Sequence, residues 1–598
     1  MPFAPCCPRP PSRGPAARLT PGPGPGPGAL GPQHDPWYNK GTGFNKFERD
    51  VLGLRGLLPP EPKSFETQAE RVLSEYTQGI DEVAPGDHIV THDHIRKWRL
   101  LQALQDRNET LFYRVLLDNI EEMSPIVYTP TVGWACQNFS TIYRRPRGMF
   151  FSLNDRGKFA SMCWNWPSND VDAIVVTDGS RILGLGDLGV NGLGISIGKL
   201  DMYVAAAGFH PDRVLPVVLD AGTDNEALRN NPYYLGLKEA RIQGAEYFDF
   251  VDEFVAAVTA RWPKVLLQFE DFRSEVAATL LDRYRDHHMV FNDDIQGTAA
   301  TVLAGLYGAL AVKGLPASAI TQEKIVVAGA GSAGMGVVKQ LAKGMERHGL
   351  TEAEANARFR IVDKDGLITP ARANAEAHVK PFAAQCDPEM EGAALVDVIK
   401  EAKPTILIGL SAVGGLFKEA ELRALAEGCD QPLVLPLSNP TQKLECTISQ
   451  AARYTQGKCI YASGSPQEDI IYNDRTIKCS QANNLYVFPG LALGAHLAEA
   501  GYVSDEMLMA AAEVPPLHIS EEARAGGAIY PRIRDMRDIS GWIATAVILQ
   551  ADQEGRVKNP KCQRAIARGR DAVFEWVRSK MYKPYYSQFV YLPPGVGE

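Results

Sequence analysis

One short segment constrains the fold more than any other, the run KIVVAGAGSAGMG, in which three glycines form a G-x-G-x-x-G pattern. The pattern follows a β-rich run and precedes the helix-like run MGVVKQLAKGM, a context that predicts a dinucleotide-binding loop. Gly329 permits a tight turn, Gly331 lets the backbone approach a pyrophosphate, and Gly334 permits close packing of helix on strand. The alternative is a strand-to-helix turn with glycines for steric reasons alone. The predicted cofactor-binding residues of the loop are Gly329, Ala330, Gly331, Ser332, Ala333 and Gly334.

The next β-rich run, RIVDKDG, ends in Asp363, which is placed to accept hydrogen bonds from the adenine ribose of a dinucleotide. Beside it Lys364, and further on Lys380, can neutralise a 2′-phosphate. The sequence therefore favours NADP, with NAD as the alternative. The other interpretation of each lysine is a solvated surface charge.

Length and charge limit the class of protein. A chain of 598 residues exceeds the roughly 250–300 residues at which one core stops growing, so several domains are expected. The formal net charge of -9 argues against nucleic acid as a partner. No uninterrupted apolar run reaches the roughly 18 residues of a membrane span. We therefore predict a soluble protein with neither a nucleic-acid nor a membrane partner.

The patterning along the chain predicts an α/β protein with several domains. Residues 1–36, rich in Pro and Gly, predict a disordered tail or a transit peptide, which would direct the protein to a mitochondrion or plastid rather than the cytoplasm. Helical periodicity over 37–147 predicts an N-terminal helical domain. Alternating strand-like and helical runs predict a substrate-binding α/β domain over 148–293, completed by 484–555, and a Rossmann-type doubly wound domain over 294–483. A C-terminal helix and tail occupy 556–598.

Two pairs of carboxylates follow two apolar runs. Glu270 and Asp271 end VLLQFED, while Asp293 and Asp294 lie in MVFNDDIQG. Carboxylates clustered at the ends of buried strands repel one another and need a cation or basic partners. Hard oxygen ligands suit Mg²⁺ or Mn²⁺ rather than zinc, so we predict a divalent-metal site. The alternative for part of the set is helix capping, because Asp294 immediately precedes IQGTAATVLAGL.

The segment DGSRILGLGDLGVNGLGISIGKLDMY holds six glycines between Gly184 and Gly198, too many for a stable helix and suited to backbone close to a small ligand. Arg181 at one end can bind a carboxylate through two hydrogen bonds. Lys199 at the other end can act as a general base if burial beside positive charge lowers its pKa. The alternative pairs both residues structurally with Asp178 and Asp187.

A tyrosine precedes a proline in PIVYTPTVG, which predicts an extended turn at Tyr128 rather than a helix. In such a turn its hydroxyl can face a cleft and act as an acid. A tyrosine at such a place is more often a packing residue, since an acid of pKa about 10 needs a special environment.

From about Trp37 to about Met581 the sequence closely resembles the malic enzyme family. The matching strings, in the family's order, are NKGTGFN, GLLPP, RNETLFYR, PIVYTPTVG, VVTDGSRILGLGDLGVNGLGI, GKL, QFEDF, FNDDIQGTAA, GAGSAG, LSNPT, ECT, ASGSP and NNLYVFPG. The chain departs from the family after ASGSP, where Gln467 replaces the usual Phe.

The resemblance implies metal-dependent oxidative decarboxylation of L-malate to pyruvate and carbon dioxide with reduction of NAD(P), in a homodimer or homotetramer. The site roles that it implies are proton donor for Tyr128, proton acceptor for Lys199, orientation of that lysine for Asp293, malate binding for Arg181, substrate and nicotinamide binding for Asn439, Asn483 and Asn484, metal binding for Glu270, Asp271 and Asp294, and NADP preference for Lys380. The alternatives are a malolactic-type enzyme that releases lactate and a catalytically silent nucleotide-binding paralogue.

Overall fold

A computed structural model of the chain describes residues 31–78, 90–373, 376, 379–439 and 441–587. By contacts the chain divides into two compact units: Met1–Pro85, His92–Asn119 and Lys583–Glu598 form the first, and Gly86–Thr91 with Ile120–Tyr582 form the second. Most of the predicted disordered tail, residues 1–30, lies outside the described residues. Within the rest of this predicted segment, Gly31–His34 forms a helical turn.

The first unit is helical, as the periodicity predicts. Its helices are α1 Gly31–His34, α2 Lys46–Val51, α3 Phe65–Thr77, α4 His92–Arg107 and α5 Glu109–Asp118. The side chain of Asn108 caps α5 by accepting from the Leu111 amide at 3.0 Å. The amide of Asn108 also donates to the hydroxyl of Tyr586 at 2.7 Å, so part of the C-terminal tail packs within this unit. The division between the units falls at Asn119, earlier than the predicted boundary at 147.

The second unit begins with a five-stranded parallel sheet in the order β1-β3-β2-β4-β5. Its strands are β1 Met149–Ser152, β2 Ala173–Thr177, β3 Val214–Asp220, β4 Leu266–Phe269 and β5 Val290–Asn292. The accompanying helices are α6 Ile120–Val127, α7 Thr131–Ile142, α8 Phe159–Met162, α9 Leu193–Met202, α10 Glu226–Asn230, α11 Gly244–Arg261, α12 Ser274–Tyr284 and α13 Thr298–Val312. Every residue of β2 and β3 is buried, which explains their unbroken apolar runs.

A second sheet of seven strands follows in the order β14-β11-β10-β9-β6-β7-β8, parallel except for the pairing of β7 with β8. The strands from here on are β6 Ile325–Ala328, β7 Phe359–Asp363, β8 Gly366–Leu367, β9 Ile406–Gly409, β10 Leu433–Pro436, β11 Ile460–Ser463, β12 Ile470–Tyr472, β13 Arg475–Ile477 and β14 Cys479–Gln481, of which β12 and β13 form a separate hairpin. Strand β6 lies between β7 and β9, so the strand order reverses at the glycine-rich loop. This is the crevice in which doubly wound sheets bind nucleotides, and the predicted Rossmann-type fold is confirmed.

The remaining helices lie in the second half of the chain. They are α14 Ser332–Arg347, α15 Glu352–Asn356, α16 Leu395–Ala402, α17 Glu419–Gly428, α18 Ile448–Tyr454, α19 Phe488–Ala498, α20 Asp505–Ala512, α21 Glu521–Ala525, α22 Met536–Gln553, α23 Pro560–Ile566 and α24 Arg570–Lys580. Helix α22 packs on α19 and on the π-helical stretch Tyr203–Ala207 that continues α9. One helical stretch, Asp293–Val312, has the length and apolarity of a membrane span, but 78% of its window is buried inside the protein, as in a core helix.

Candidate active site

The two carboxylate pairs lie at the ends of neighbouring strands. Strands β4 and β5 run parallel with Phe269 opposite Asn292, so the residues that follow them meet at one edge of the sheet. Oxygen atoms of Glu270, Asp271 and Asp294 all lie within 4.8 Å of one another. The structure therefore brings together the three residues predicted to bind a metal.

The surroundings of this carboxylate cluster fit a hard divalent cation. Burial raises the pKa of all three carboxyl groups, and the charge of Asp294 raises those of Glu270 and Asp271 further. Within the described part of the chain, no donor reaches the buried Oδ2 of Asp271. Asp271 also adopts a left-handed φ of 57°, a backbone conformation uncommon outside glycine. An all-carboxylate set with an unsatisfied buried oxygen is the donor chemistry of Mg²⁺ or Mn²⁺.

Helix capping does not explain these acids. The residue that caps the π-helical turn Asp293–Gly297 is Asn292, whose Oδ1 accepts from the Ile295 amide at 3.0 Å. Asp294 instead accepts from the backbone amide of Asp271 at 2.7 Å. The capping alternative for Asp294 is therefore wrong, and its side chain belongs to the carboxylate cluster.

The glycine-rich segment before Lys199 was predicted to contain no helix, and this prediction is wrong. Its second half forms α9, which carries Lys199. A Cβ atom on Gly194 would lie 2.8 Å from Sγ of Cys136, and one on Gly198 would lie 2.9 Å from the carbonyl oxygen of Val127. These glycines let α9 approach α6 and α7 closely, and the buried packing outweighs their low helix propensity.

Lys199 is enclosed by carboxylates rather than by cations. Its Nζ donates to Oδ2 of Asp293 and lies 3.1 Å from Oε1 of Glu270, and the residue is 1% exposed. Burial lowers the pKa of Lys199, but the charges of Asp293 and Glu270 outweigh burial and hold it well above the ordinary value. The prediction that neighbouring positive charge lowers this pKa is therefore wrong.

The alternative in which Arg181 and Lys199 pair structurally with Asp178 and Asp187 is also wrong. Both aspartates pair with Arg241 instead. Arg241 lies 2.8 Å from Asp187 and 3.4 Å from Asp178, in an ion-pair network that is largely buried. The sequence reasoning missed Arg241, which lies more than fifty residues away along the chain. Its pairs fix the loop between β2 and α9 and leave Lys199 and Arg181 available for other partners.

Tyr128 lies immediately after α6, in the turn before the cis peptide bond between Thr129 and Pro130, as the sequence predicts. It is 5% exposed, and the Nζ atom of Lys199 lies 5.3 Å from its ring centroid. Burial raises the pKa of Tyr128 above its ordinary value, although the charge of Lys199 opposes this. The hydroxyl is therefore neutral and retains a proton to donate.

A cavity of about 110 Å³ joins these groups. Seven of the predicted site residues line it, namely Tyr128, Lys199, Glu270, Asp294, Asn439, Asn483 and Asn484. Arg181 is not among the lining residues. Its guanidinium donates to the hydroxyl of Ser274, and its backbone amide donates to the carbonyl oxygen of Asp271 at 3.2 Å.

Two of the predicted asparagines hold other groups of the site. Asn484 donates from Nδ2 to Oδ2 of Asp293 and to the hydroxyl of Thr298, both at 3.0 Å. Asn439 accepts from the hydroxyl of Ser465 at 2.7 Å. Asn484 therefore orients the aspartate that in turn contacts Lys199.

Gln268 was missed by the sequence reasoning although it stands in the matching string QFEDF. This fully buried amide accepts from the hydroxyl of Tyr203 and donates to Oε2 of Glu270 at 2.7 Å. A polar residue inside the apolar run VLLQF was the available signal, because a buried amide requires partners. Gln268 fixes the orientation of one carboxylate in the cluster.

The glycine-rich loop has the geometry that its motif demands. Gly329 has a φ of 125°, and a Cβ atom there would lie 2.5 Å from the carbonyl oxygen of Leu410. A Cβ on Gly334 would lie 2.0 Å from the carbonyl oxygen of Gly329, whereas a Cβ on Gly331 would meet nothing within 4 Å. Close contacts thus require glycine at 329 and 334. Gly331 instead faces open space at the start of α14, where the free amide groups of the helix favour an anion.

The carboxylate at the end of β7 has an unexpected partner. Arg372 donates to both oxygens of Asp363, at 2.7 and 2.6 Å, and also binds Glu391. Lys364 and Lys380 are exposed. Arg372 lies nine residues beyond Asp363, and no motif in the sequence marks it as the partner of that carboxylate.

Gln467, where the chain departs from the family, is ordered by hydrogen bonds. Its Oε1 accepts from the Ile448 amide at 3.1 Å, and its Nε2 donates to the hydroxyls of Tyr461 and Ser463 at 2.7 and 3.1 Å. The amide thus joins the start of α18 to β11. This fixes the backbone of the loop that contains Ser465, the partner of Asn439.

Comparison with known families decides which protein family has this arrangement. The model for the malic enzyme N-terminal domain matches residues 105–285, and that for the malic enzyme NAD binding domain matches residues 295–552. The chain belongs to the malic enzyme family. As a malic enzyme it oxidatively decarboxylates malate with NAD(P) as cofactor. The N-terminal-domain model covers Glu270 and Asp271 of the carboxylate cluster, and the NAD-binding-domain model covers the glycine-rich loop.

Similar malic enzymes use either nicotinamide cofactor. A mitochondrial NAD-dependent malic enzyme of Solanum tuberosum is 49% identical, with 93% of this chain and 91% of the relative covered. An NADP-dependent malic enzyme of Dictyostelium discoideum is 42% identical, with 93% and 98% covered. The crystal structure of the Entamoeba histolytica malic enzyme has the same fold, with a TM-score of 0.52 at 21% identity over 89% of this chain and 91% of that one.

Proposed function

We propose that the carboxylate cluster, Lys199 and Tyr128 form the catalytic centre of this malic enzyme. The observation that carries the proposal is the buried contact between Lys199 and the carboxylates, with Tyr128 lining the same cavity. Glu270, Asp271 and Asp294 would hold Mg²⁺ or Mn²⁺. When bound, such a cation polarises the oxygen atoms of the substrate and offsets the negative charge of the carboxylate cluster.

The residues of the chain then divide the proton transfers between them. Lys199 accepts the proton of the C2 hydroxyl as hydride leaves for the nicotinamide, and Asp293, oriented by Asn484, holds the lysine in place. Tyr128 donates a proton to C3 after carbon dioxide has left. Lys199 must be neutral to accept a proton, which requires that the field of Asp293 and Glu270 be offset before chemistry begins.

Substrate and nicotinamide are proposed to occupy the cavity between these groups. Asn439 and Asn483 line it and present amide groups to an organic acid or a carboxamide. Arg181 lies beside Asp271 through its backbone, and its guanidinium, held by Ser274, is proposed to turn to a malate carboxylate. A planar guanidinium suits a carboxylate because two N–H groups match its two oxygens.

The cofactor is proposed to be NAD rather than NADP. The prediction of NADP from Lys364 and Lys380 is not confirmed, and Asp363 ends β7 with a carboxylate whose two oxygens both accept from Arg372. Arg372, whose guanidinium would suit a 2′-phosphate, is paired with Asp363 and Glu391, so the end of β7 offers a ribose-binding carboxylate rather than an unpaired cation. The mitochondrial NAD-dependent relatives, 48% and 49% identical, point the same way and support a mitochondrial location. A homodimer or homotetramer remains our expectation from the family resemblance.

An assay with L-malate and Mn²⁺, run separately with NAD and NADP, tests the proposal. We expect reduced cofactor and pyruvate in equal amounts, with the higher kcat/KM for NAD. A preference for NADP would contradict the interpretation of Asp363. Lactate formation without reduced cofactor would instead indicate a malolactic enzyme, and the absence of any product would indicate a silent paralogue.

Tyr128→Phe tests the proton donor. We expect kcat for oxidative decarboxylation to fall by about 10²-fold to 10³-fold, because general acid catalysis contributes on that order. The KM for malate should change little, since the ring and its packing remain. Steady-state kinetics measures both parameters. Tyr143→Phe, which removes a hydroxyl from a tyrosine directly after α7 that does not line the cavity, serves as the control. An equal loss in binding and in kcat would show that Tyr128 binds substrate rather than donating a proton.

A further inference from the structure

Glu445, in the string ECT, is completely buried and lies outside the proposed catalytic centre. Its Oε1 accepts hydrogen bonds from the backbone amide of Ser411 at 3.0 Å, from the hydroxyl of Ser411 at 2.9 Å and from the hydroxyl of Ser438. A buried carboxylate is costly to bury unless its acceptors are satisfied. Here the donors come from the loops that follow β9 and β10.

The contacts of this carboxylate join those two loops to each other. The hydroxyl of Ser438, besides donating to Glu445, accepts from the amide of Ala412 at 2.9 Å. Ala412 has a left-handed φ of 55°, which is strained for a residue with a Cβ atom. A Cβ on Gly409 would lie 2.5 Å from the carboxyl carbon of Glu445, so the strand end passes directly over the carboxyl group.

Both loops face the cofactor crevice. The carbonyl oxygen of Leu410 lies against Gly329 of the glycine-rich loop, at the point where the strand order reverses. Asn439, which follows Ser438 directly, lines the active-site cavity. A group that fixes Ser411 and Ser438 therefore sets the position of the backbone on both sides of the crevice.

We propose that Glu445 is a positioning residue for the nicotinamide cofactor, holding the loops after β9 and β10 in the conformation that binds the dinucleotide. An ionised carboxylate suits this task because both of its oxygens only accept hydrogen bonds. Glutamine keeps only one acceptor oxygen, so its NH2 group must face a backbone amide, that of Ser411 at the position of Oε1 or that of Ser438 at the position of Oε2. The inference rests on the NAD(P)-dependent activity proposed above.

Glu445→Gln in the full-length enzyme tests the proposal. We expect the Kd for NADH or NADPH, measured by fluorescence titration without malate or metal, to rise by about tenfold, since one buried backbone amide, of Ser411 or of Ser438, loses its acceptor and faces an NH2 group instead. We expect kcat at saturating cofactor and the KM for malate to stay within about threefold of the wild type, because the catalytic groups are untouched. Ser438→Ala, which removes one of the donors, should weaken cofactor binding in the same direction and less than additively with Glu445→Gln.

The matched control is Asp220→Asn. Asp220 is also a buried carboxylate at a strand end, and it accepts from the backbone amides of Leu237 and Gly222 in the other sheet. Its replacement makes the same chemical change and should leave the Kd for NADH and NADPH unchanged. If Glu445→Gln and Ser438→Ala leave that Kd within twofold of the wild type, or if Asp220→Asn raises it equally, the positioning role is wrong. Failure of the wild type to bind either cofactor would instead overturn the proposed function.

Discussion

Lys199→Met is expected to lower kcat for malate oxidation by about 10³-fold to 10⁴-fold, the upper range for loss of a general base. Methionine fills a similar volume but has no nitrogen atom to accept a proton. Binding of NADH, measured by fluorescence, should change far less than kcat, because the ion-pair partners of Lys199 are Asp293 and Glu270 rather than residues of the glycine-rich loop. Steady-state and single-turnover kinetics at saturating Mn²⁺ would measure the loss.

Lys199→Arg separates proton transfer from ion pairing. The guanidinium keeps the positive charge beside Asp293 and Glu270, but it does not lose its proton in a protein. We expect it to be nearly as inactive as Lys199→Met. If Lys199→Arg retains more than about a tenth of wild-type kcat, Lys199 acts by charge alone and another group accepts the proton.

Asp271→Asn is expected to remove most of the stabilisation that Mn²⁺ gives to the protein. Each of the three clustered carboxylates is close to the other two, and binding of a cation stabilises the folded state by a free energy that grows with the logarithm of its affinity. Loss of one charged ligand should weaken Mn²⁺ binding by about 100-fold and lower kcat by at least a similar factor. Isothermal titration with Mn²⁺ and thermal unfolding with and without a chelator measure both effects.

The same variant should have the opposite effect on the metal-free protein. Burial and repulsion raise the pKa of Asp271, so its ionised form opposes folding at neutral pH when no cation is present. Metal-free Asp271→Asn should therefore unfold at a higher temperature than the metal-free wild type. Asp282→Asn, which removes an exposed charge from α12, provides the control for net charge. A lower melting temperature for metal-free Asp271→Asn, with Mn²⁺ binding intact, would rule out a metal site here.

The parts of the site that depend on neighbouring residues in the chain were predictable from sequence. A carboxylate pair directly after an apolar run, as at Glu270 and Asp271, has to lie at a strand end if the strand forms. The glycine pattern around Gly331 likewise specifies a turn, because strand, loop and helix are consecutive. In both cases one stretch of sequence contains all the residues that determine the local geometry.

The sequence was less informative wherever distant segments meet. The glycines of α9 suggest a loop by propensity, but contacts with Cys136 and Val127 make the same residues suitable for close helix packing. The ionisation of Lys199 depends on Asp293, ninety-four residues away, and that pairing follows from strand order rather than spacing. Glu445 and Arg241 were missed for the same reason, since their partners come from other loops.

Ser274 connects two parts of the active site that are far apart in sequence. Its hydroxyl accepts from the guanidinium of Arg181, and its carbonyl oxygen accepts from the hydroxyl of Ser332, the first residue of α14, at 2.9 Å. The first turn of α12 thus contacts both Arg181, the arginine that we propose to bind malate, and the first residue of the helix after the glycine-rich loop. By thermodynamic reciprocity, if a bound dinucleotide changes the affinity for malate by some factor through this turn, bound malate changes the affinity for the dinucleotide by the same factor. If Arg181 binds malate as proposed, a single serine would give the enzyme a physical basis for communication between its two ligands.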